Sequence, residues 1–314
     1  MKTAIIFSGQ GAQYPGMGRD LYENSKEFKE VFDEAAEALS FPLLEYAFNA
    51  ENKAFLDDTE FSQPIIYAMC AGIIKMIEKT GFKAEITAGL SLGEYTALMY
   101  SGAFSFKDGL TLLTARGKYM AEASKHVDGV MSAVLNLAPE LVQEACKEAA
   151  GGGRGAVSVS NLNTPGQVVI SGERSAVEKA EELCKAKGAK RSMRLAVSGP
   201  YHTVYMEPAA QKLSQYLKNV QIGEMTIPVV SNVDGEVIAD KEEIAPLLLK
   251  QLVSPVRWEL CVRNMIAMGV DTFIEAGPGK ALSGFVKRVS ADVKIYNIED
   301  MASFEACGNG IFIK

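Results

Sequence analysis

The chain has 314 residues, 48% hydrophobic and 23% charged, with a net charge of −7 and two histidines. That length holds one large or two modest domains with a substantial core. The acidic balance excludes a nucleic-acid coat, and no window approaches the roughly 18 uninterrupted apolar residues of a membrane span.

Residues 1–126 alternate short apolar strands, glycine-bearing loops and helical patterns. The first strand, 2–7, runs into Gly9-Gln10-Gly11; its apolar stretch Ala4-Ile5-Ile6-Phe7 is shorter than a signal-peptide core of about 7–15 residues, so a mature cytoplasmic protein is expected. Helical patterns cover 25–40 and 63–79, and a strand near 84–88 enters Gly89-Leu90-Ser91-Leu92-Gly93 and another helix. The rhythm changes at 127–198. A strand at 131–137 leads to a helix from Pro139 to about 150, closed by Gly151-Gly152-Gly153. Strands 156–161 and 167–171 flank the turn Asn163-Thr164-Pro165-Gly166, and a helix over 174–187 stops at Gly188 before a strand at 190–197. That order is βαββαβ, the ferredoxin-like unit. The α/β pattern then resumes with helix 205–219, strand 227–231, helices 241–252 and 257–268, strand 272–275, a helix to about 289 and a last strand at 293–297. The reading is an α/β body with a parallel sheet, residues 1–126 and 199–314, interrupted by a small subdomain, 127–198. A cleft between two such parts is a common place for a site.

Gly89-Leu90-Ser91-Leu92-Gly93 fits G-x-S-x-G between a strand and a helix. A nucleophilic serine on so sharp a turn needs small neighbours two positions either side, and the helix behind it points free N–H groups at any oxyanion. An ordinary βα turn is the alternative. A serine also needs a base. His126 lies in the polar stretch Ser124-Lys125-His126-Val127-Asp128, where a solvated loop histidine is expected. His202 follows Gly199-Pro200-Tyr201 at the return from the small subdomain, placed either to serve as base or as a structural histidine. Arg116 falls on the apolar stripe of its helix, three residues after Leu113 and four before Met120. A desolvated guanidinium needs an anion, either a substrate carboxylate or a buried Asp or Glu. Gln10 can donate to a substrate oxygen or merely shape its turn. Tyr14 occupies the last glycine place of G-x-G-x-x-G, which argues against a dinucleotide, and Gly277-Pro278-Gly279-Lys280 lacks Walker spacing and reads as a structural turn. Five cysteines without a CxxC pair argue against a disulfide framework or a metal site.

Taken together, Phe7-Ser8-Gly9-Gln10-Gly11, Ser62-Gln63-Pro64, the Ser91 turn followed by Glu94-Tyr95, Arg116-Gly117, the run Asn161 to Gly172, Gly199-Pro200-Tyr201-His202, Ser254-Pro255-Val256-Arg257-Trp258 and Glu275-Ala276-Gly277-Pro278-Gly279 resemble the malonyl-CoA:acyl carrier protein transacylase family from end to end. The resemblance implies an α/β-hydrolase-like body with an inserted ferredoxin-like subdomain, and a ping-pong transfer without a cofactor. Ser91 would attack the malonyl thioester with His202 as base, the backbone N–H groups of Gln10 and Leu92 would form the oxyanion hole, and Arg116 would clamp the malonyl carboxylate, with Gln63 in support. The pantetheine thiol of acyl carrier protein would then take the acyl group.

The family steadies its imidazole with a backbone carbonyl, commonly from an asparagine where this chain has Ser254. Leu90 also departs from the family, many members of which have histidine there. Tyr201, before the histidine, should crowd an α-methyl branch and favour malonyl over methylmalonyl groups. A monomer without nucleic-acid or membrane partners is expected. The enzymatic rivals are an acyltransferase serving a polyketide or polyunsaturated-lipid synthase, and a serine thioesterase or esterase; Arg116 argues against the neutral substrates of the last. A carrier-binding scaffold is the non-enzymatic rival, opposed by the intact Ser91, His202, Arg116 and Gln10. Because acyl carrier proteins are acidic, docking must use a local basic patch: Lys185, Lys187, Lys190, Arg191 and Arg194, or Lys280, Lys287 and Arg288, each of which also reads as a solvated helix face.

Overall fold

In the computed structural model, which describes residues 1–151, 156–197 and 199–312, two sheets divide the work. Gly152, Gly153, Ser198 and the last two residues, all named or spanned above, lie outside the described residues. The first sheet is parallel. It contains β1 (Thr3–Phe7), β2 (Ile86–Gly89), β7 (Thr272–Ala276) and β8 (Lys294–Ile298), in the order β2-β1-β7-β8. β1, β2 and β7 are buried along their whole length, as a parallel sheet covered on both faces requires. In the register, Phe7 sits beside Gly89 on one side and Ala276 on the other, so three strands end level. The loops starting at Ser8, Leu90 and Gly277 therefore leave the sheet together, at the strand ends where open α/β sheets bind ligands.

The second sheet comprises β3 (Gly129–Leu135), β4 (Val157–Thr164), β5 (Gln167–Glu173) and β6 (Arg191–Arg194), all antiparallel in the order β4-β5-β3-β6. Its two faces have different partners, set by the two-residue side-chain period. Val134, Val168 and Ile170 pack under the helices Pro139–Ala149 and Arg174–Ala186, with Val142, Ala145, Val177 and Ala180. Met131, Ala133 and Val169 point the other way and join the core of the body. The sheet is clipped to the body by backbone bonds from Leu162 N–H to Val256 O at 2.9 Å and from Val256 N–H to Ser160 O at 2.9 Å.

Several expected bounds change, among them the strand at 190–197, which is confined to Arg191–Arg194, and two changes have a plain local cause. The strand at 227–231 is reduced to isolated bridges, Val229 with Thr87 and Val230 with Val237. Pro228 explains this: it has no N–H for a ladder, and only its carbonyl is used, by Thr87. The helix at 63–79 starts earlier, as Thr59–Lys79, because the Asp58 carboxylate caps Glu60 N–H. The short helices Arg19–Asn24, Leu43–Phe48, Lys53–Asp57 and Met301–Cys307 are too brief for a readable period.

The two glycines that flank Ser91 pack directly against backbone. A Cβ on Gly89 would lie 2.0 Å from the Gly93 carbonyl, and one on Gly93 would lie 2.3 Å from Phe7 O. Helix Leu92–Ser101 thus rests directly on β1 and β2. Gly93→Ala is expected to cost about 3 kcal/mol or more, since neither contact partner is a movable side chain. Denaturant unfolding measures it, and an unchanged midpoint would remove the argument.

Candidate active site

Ser91 sits at the kink between β2 and helix Leu92–Ser101 with φ 55° and ψ −102°. A non-glycine residue holds such a conformation only where its surroundings impose it. Here Asn232 does so. Its Oδ1 accepts from Ser91 N–H at 2.7 Å and its Nδ2 donates to Gly89 O at 2.8 Å, bracketing the turn. Leu92 is the first residue of the helix, so its N–H has no intrahelical acceptor.

His202 is 5% exposed and also lies at positive φ, 60°. Its Nε2 is 2.9 Å from Ser91 Oγ and its Nδ1 is 2.8 Å from Gln251 O. A carbonyl only accepts, so Nδ1 carries the proton and Nε2 is left bare to take the serine's. The carbonyl differs from the one expected: it is Gln251's, not Ser254's. The cause is the end of helix Ile244–Val253, whose last carbonyls lack intrahelical donors and are free for the imidazole. Ser254 caps that helix and turns its hydroxyl back to Lys250 O. Burial first, and the Arg116 charge second, push the His202 imidazole down to about 4, against the pull of the Gln251 carbonyl.

Arg116 is 1% exposed. Nη1 donates to Gln63 Oε1 at 2.7 Å, and Nη2 donates to Gln251 Oε1 and to Ser91 Oγ, each at 3.0 Å. The Tyr95 ring lies 5.3 Å from the guanidinium carbon. Among the described residues no carboxylate pairs with Arg116, and its Nε finds no partner. Of the two readings of this arginine, the structural ion pair is therefore not built. Neutral amides orient the fork and leave its charge available, while burial lowers its pKa.

Gln10 lines the same cavity. Its Oε1 accepts from Thr59 Oγ at 2.6 Å, and its Nε2 is buried without a partner among the described residues. Thr59 in turn accepts from Gln63 Nε2 at 3.0 Å, which ties Gln10 to the Arg116 clamp. Tyr201, 4% exposed, forms part of the wall. The cavity measures about 390 Å³ and runs from Ser91 and His202 past Met131, Ala133 and Val169 of the second sheet. His126 is exposed on its turn, away from the cavity lining. At the other turn singled out in the sequence, the Glu275 carboxylate accepts from Leu282 N–H at 3.0 Å and Ser283 N–H at 2.7 Å. The chain fills that helix N-terminus with its own anion. Three residues that hold the site together, Gln251, Asn232 and Thr59, carried no signal in the sequence. Glu94 did: a carboxylate in the apolar run after Ser91.

A kinked serine, a neutral buried imidazole and a helix N-terminus aimed at one point have the chemistry of acyl transfer through a serine ester. Comparison with known proteins agrees. The acyl transferase domain family matches residues 4–307. A malonyl CoA-acyl carrier protein transacylase of Bacillus subtilis is 41% identical over 304 residues, covering 97% of this chain and 95% of the relative. One from Haemophilus influenzae is 41% identical over 307 residues, covering 97% of each. The solved structure of MCAT from Streptococcus pneumoniae aligns with a TM-score of 0.93 at 44% identity, over 99% of this chain and 100% of that one. A type II PKS acyl-carrier protein in complex with its malonyl-transacylase aligns through the transacylase with a TM-score of 0.95 at 38% identity, over 99% and 100% of the two chains. The chain belongs to the acyl transferase family and, within it, to the malonyl CoA-acyl carrier protein transacylases.

A histidine acting as base on Ser91 must be unprotonated, so with the lowered pKa of His202 acylation is expected to persist as pH falls through the ordinary imidazole value of 6.5 and to be lost near 4. The pH dependence of kcat/KM for serine acylation measures this; an acid limb at 6.5 would contradict the burial argument.

Proposed function

We propose that the protein moves the malonyl group from malonyl-CoA to the phosphopantetheine thiol of acyl carrier protein through a malonyl ester on Ser91. His202 Nε2 takes the serine proton as Oγ attacks the thioester carbonyl, then returns it to the departing coenzyme A thiol. The N–H groups of Leu92 and Gln10 hold the oxyanion, and Arg116, oriented by Gln63 and Gln251, holds the free carboxylate. The carrier thiol reverses the sequence. These steps exchange one acyl linkage for another with proton transfers alone, so they call for no cofactor. One observation carries the substrate reading: a buried guanidinium, free of any carboxylate among the described residues, 3.0 Å from the nucleophile. An acyl group bearing a carboxylate satisfies it. A neutral ester would leave it stranded, which weighs against the esterase reading.

The architecture supports a division of labour. We read residues 1–126 and 199–314 as an α/β-hydrolase-like body, and 127–198 as an inserted ferredoxin-like subdomain that walls the cleft with Met131, Ala133 and Val169. The antiparallel order β4-β5-β3-β6 and the helices on one face favour that description. Crowding by Tyr201 favours malonyl over methylmalonyl groups. After malonyl-CoA is mixed with the protein, mass spectrometry should find an adduct of about 86 Da that is absent from Ser91→Ala. An unmodified wild-type protein would refute the function.

Acyl carrier protein, an acidic partner, has a landing surface beside the cleft. Two candidate cations are tied up: Arg194 is bonded to Glu181 at 2.8 and 2.9 Å, and Lys187 pairs with Glu144 at 3.5 Å. Lys280 pairs with Glu299 at 3.5 Å. Among the described residues Lys185, Lys190, Arg191, Lys287 and Arg288 form no ion pair; of these, Lys190 and Arg191 lie side by side at the exposed edge strand β6 and are the pair we assign to long-range attraction. Reversing both charges should raise KM for the carrier severalfold at low salt and leave KM for malonyl-CoA unchanged. An unchanged carrier KM would exclude this edge.

A further inference from the structure

Glu94 is fully buried in the first turn of helix Leu92–Ser101, and the transfer steps above give it no task. Its Oε2 accepts from Gln251 Nε2 at 2.6 Å and from Asn232 N–H at 3.2 Å, while Oε1 has no partner among the described residues. Both donors belong to residues that hold the site. Gln251 carries Arg116 on its Oε1 and His202 on its backbone carbonyl; Asn232 holds the Ser91 turn. The charged and titratable groups acting on Glu94 come from every side. Arg116 attracts it from helix Phe106–Ser124, Asp234 repels it from the segment after Asn232, and Tyr95 and Cys261 lie close enough for its charge to act on them. Arg116 is the one cation of that set. Burial raises the Glu94 carboxyl to about 7, with the two donors and Arg116 opposing.

We propose that Glu94 is the counter-charge and positioning residue of the Arg116 clamp, aiming the fork through Gln251 and taking up a proton when an acyl carboxylate enters. This rests on the malonyl reading above. An ionised Glu94 offsets the buried guanidinium while the clamp is open. A carboxylate arriving on Arg116 brings a second anion into a site with one cation. Transfer of one proton from solvent to the unpartnered Oε1 restores neutrality, and that proton leaves again with the acyl group. The sign follows. Below about 7 the protonated Glu94 does not repel the incoming carboxylate; above it, the ionised form does, and KM for a carboxylate-bearing thioester rises. Neutral thioesters are indifferent.

The test compares KM for malonyl-CoA and acetyl-CoA between about pH 6 and 8.5, in wild type and Glu94→Gln. The amide keeps an acceptor for Gln251 and Asn232, removes the charge and puts an NH2 group in the place of the unpartnered Oε1. In the wild type, KM for malonyl-CoA should rise roughly three- to tenfold across that range and KM for acetyl-CoA should not. In Glu94→Gln the rise should vanish, with malonyl-CoA bound more tightly at the alkaline end than by the wild type. An unaltered rise in the variant, or equal changes for both thioesters, overturns the proposal. If Glu94→Gln fails to fold, calorimetry of malonyl-CoA binding to Ser91→Ala in two buffers of different ionisation enthalpy decides. Net proton uptake near neutral pH, absent with acetyl-CoA, supports the proposal, and no uptake overturns it. A wild-type serine that malonyl-CoA never acylates overturns the malonyl reading itself, and this inference with it.

Discussion

Gln251 is where the demands of the site meet. Its side-chain oxygen accepts from Arg116, its side-chain nitrogen donates to Ser91 O at 3.0 Å and to Glu94, and its backbone oxygen fixes the tautomer of His202. Each job needs a different valence of one residue. An amide also orients a guanidinium without neutralising it, whereas a carboxylate at 251 would form an ion pair with Arg116 and spend the charge. Gln63 does the same from the other side. The protein thus keeps a buried cation unpaired by surrounding it with neutral acceptors, and places the nearest balancing anion, Glu94, one amide away.

The backbone imposes an equally strict condition. Ser91 can face the cavity only because β2 turns sharply into its helix, and that helix can sit so close only because residues 89 and 93 have no side chain. The level ends of β1, β2 and β7 bring Gln10, Ser91 and the Gly277 turn to one edge. At that edge two helix N-termini compare instructively. The one behind Ser91 starts at a bare N–H, while the one after Gly277 is filled by Glu275. One turn is thereby left for chemistry and the other is sealed for stability.

How much of this was legible from the sequence depends on whether a residue's role is local. The Ser91 turn could be read because its steric demand falls on residues two positions away. Arg116 could be read because helical periodicity places it among apolar neighbours, and His202 because only two imidazoles exist. The βαββαβ order was visible in turn residues and alternating periods. The imidazole's carbonyl partner was not: every residue has a carbonyl, and which one is free depends on where helix Ile244–Val253 ends. Asn232 was invisible for a similar reason, since it acts across 141 positions from an irregular segment. The lost strand at 227–231 shows the converse, apolar composition overruled by one proline's missing N–H.

The placement of His202 links the two sheets. The chain leaves the body at the start of β3 and returns through Gly199-Pro200, and these ends touch: a Cβ on Gly129 would lie 2.3 Å from the Pro200 ring. The Thr203 hydroxyl, just beyond the histidine, donates to Pro200 O at 2.6 Å and tightens the return. Closing the excursion therefore helps hold the backbone from which the imidazole projects, where His202 lies at positive φ. The same excursion contributes the apolar wall of the cavity through one face of its sheet, while its helices satisfy the other. His202 thus lies where the excursion ends and lines the same cavity as Met131, Ala133 and Val169 of the small sheet. Ser91 stays on the first sheet, and the backbone bonds joining Leu162, Val256 and Ser160 keep the small sheet, and with it the cavity wall, in place against the serine and the imidazole.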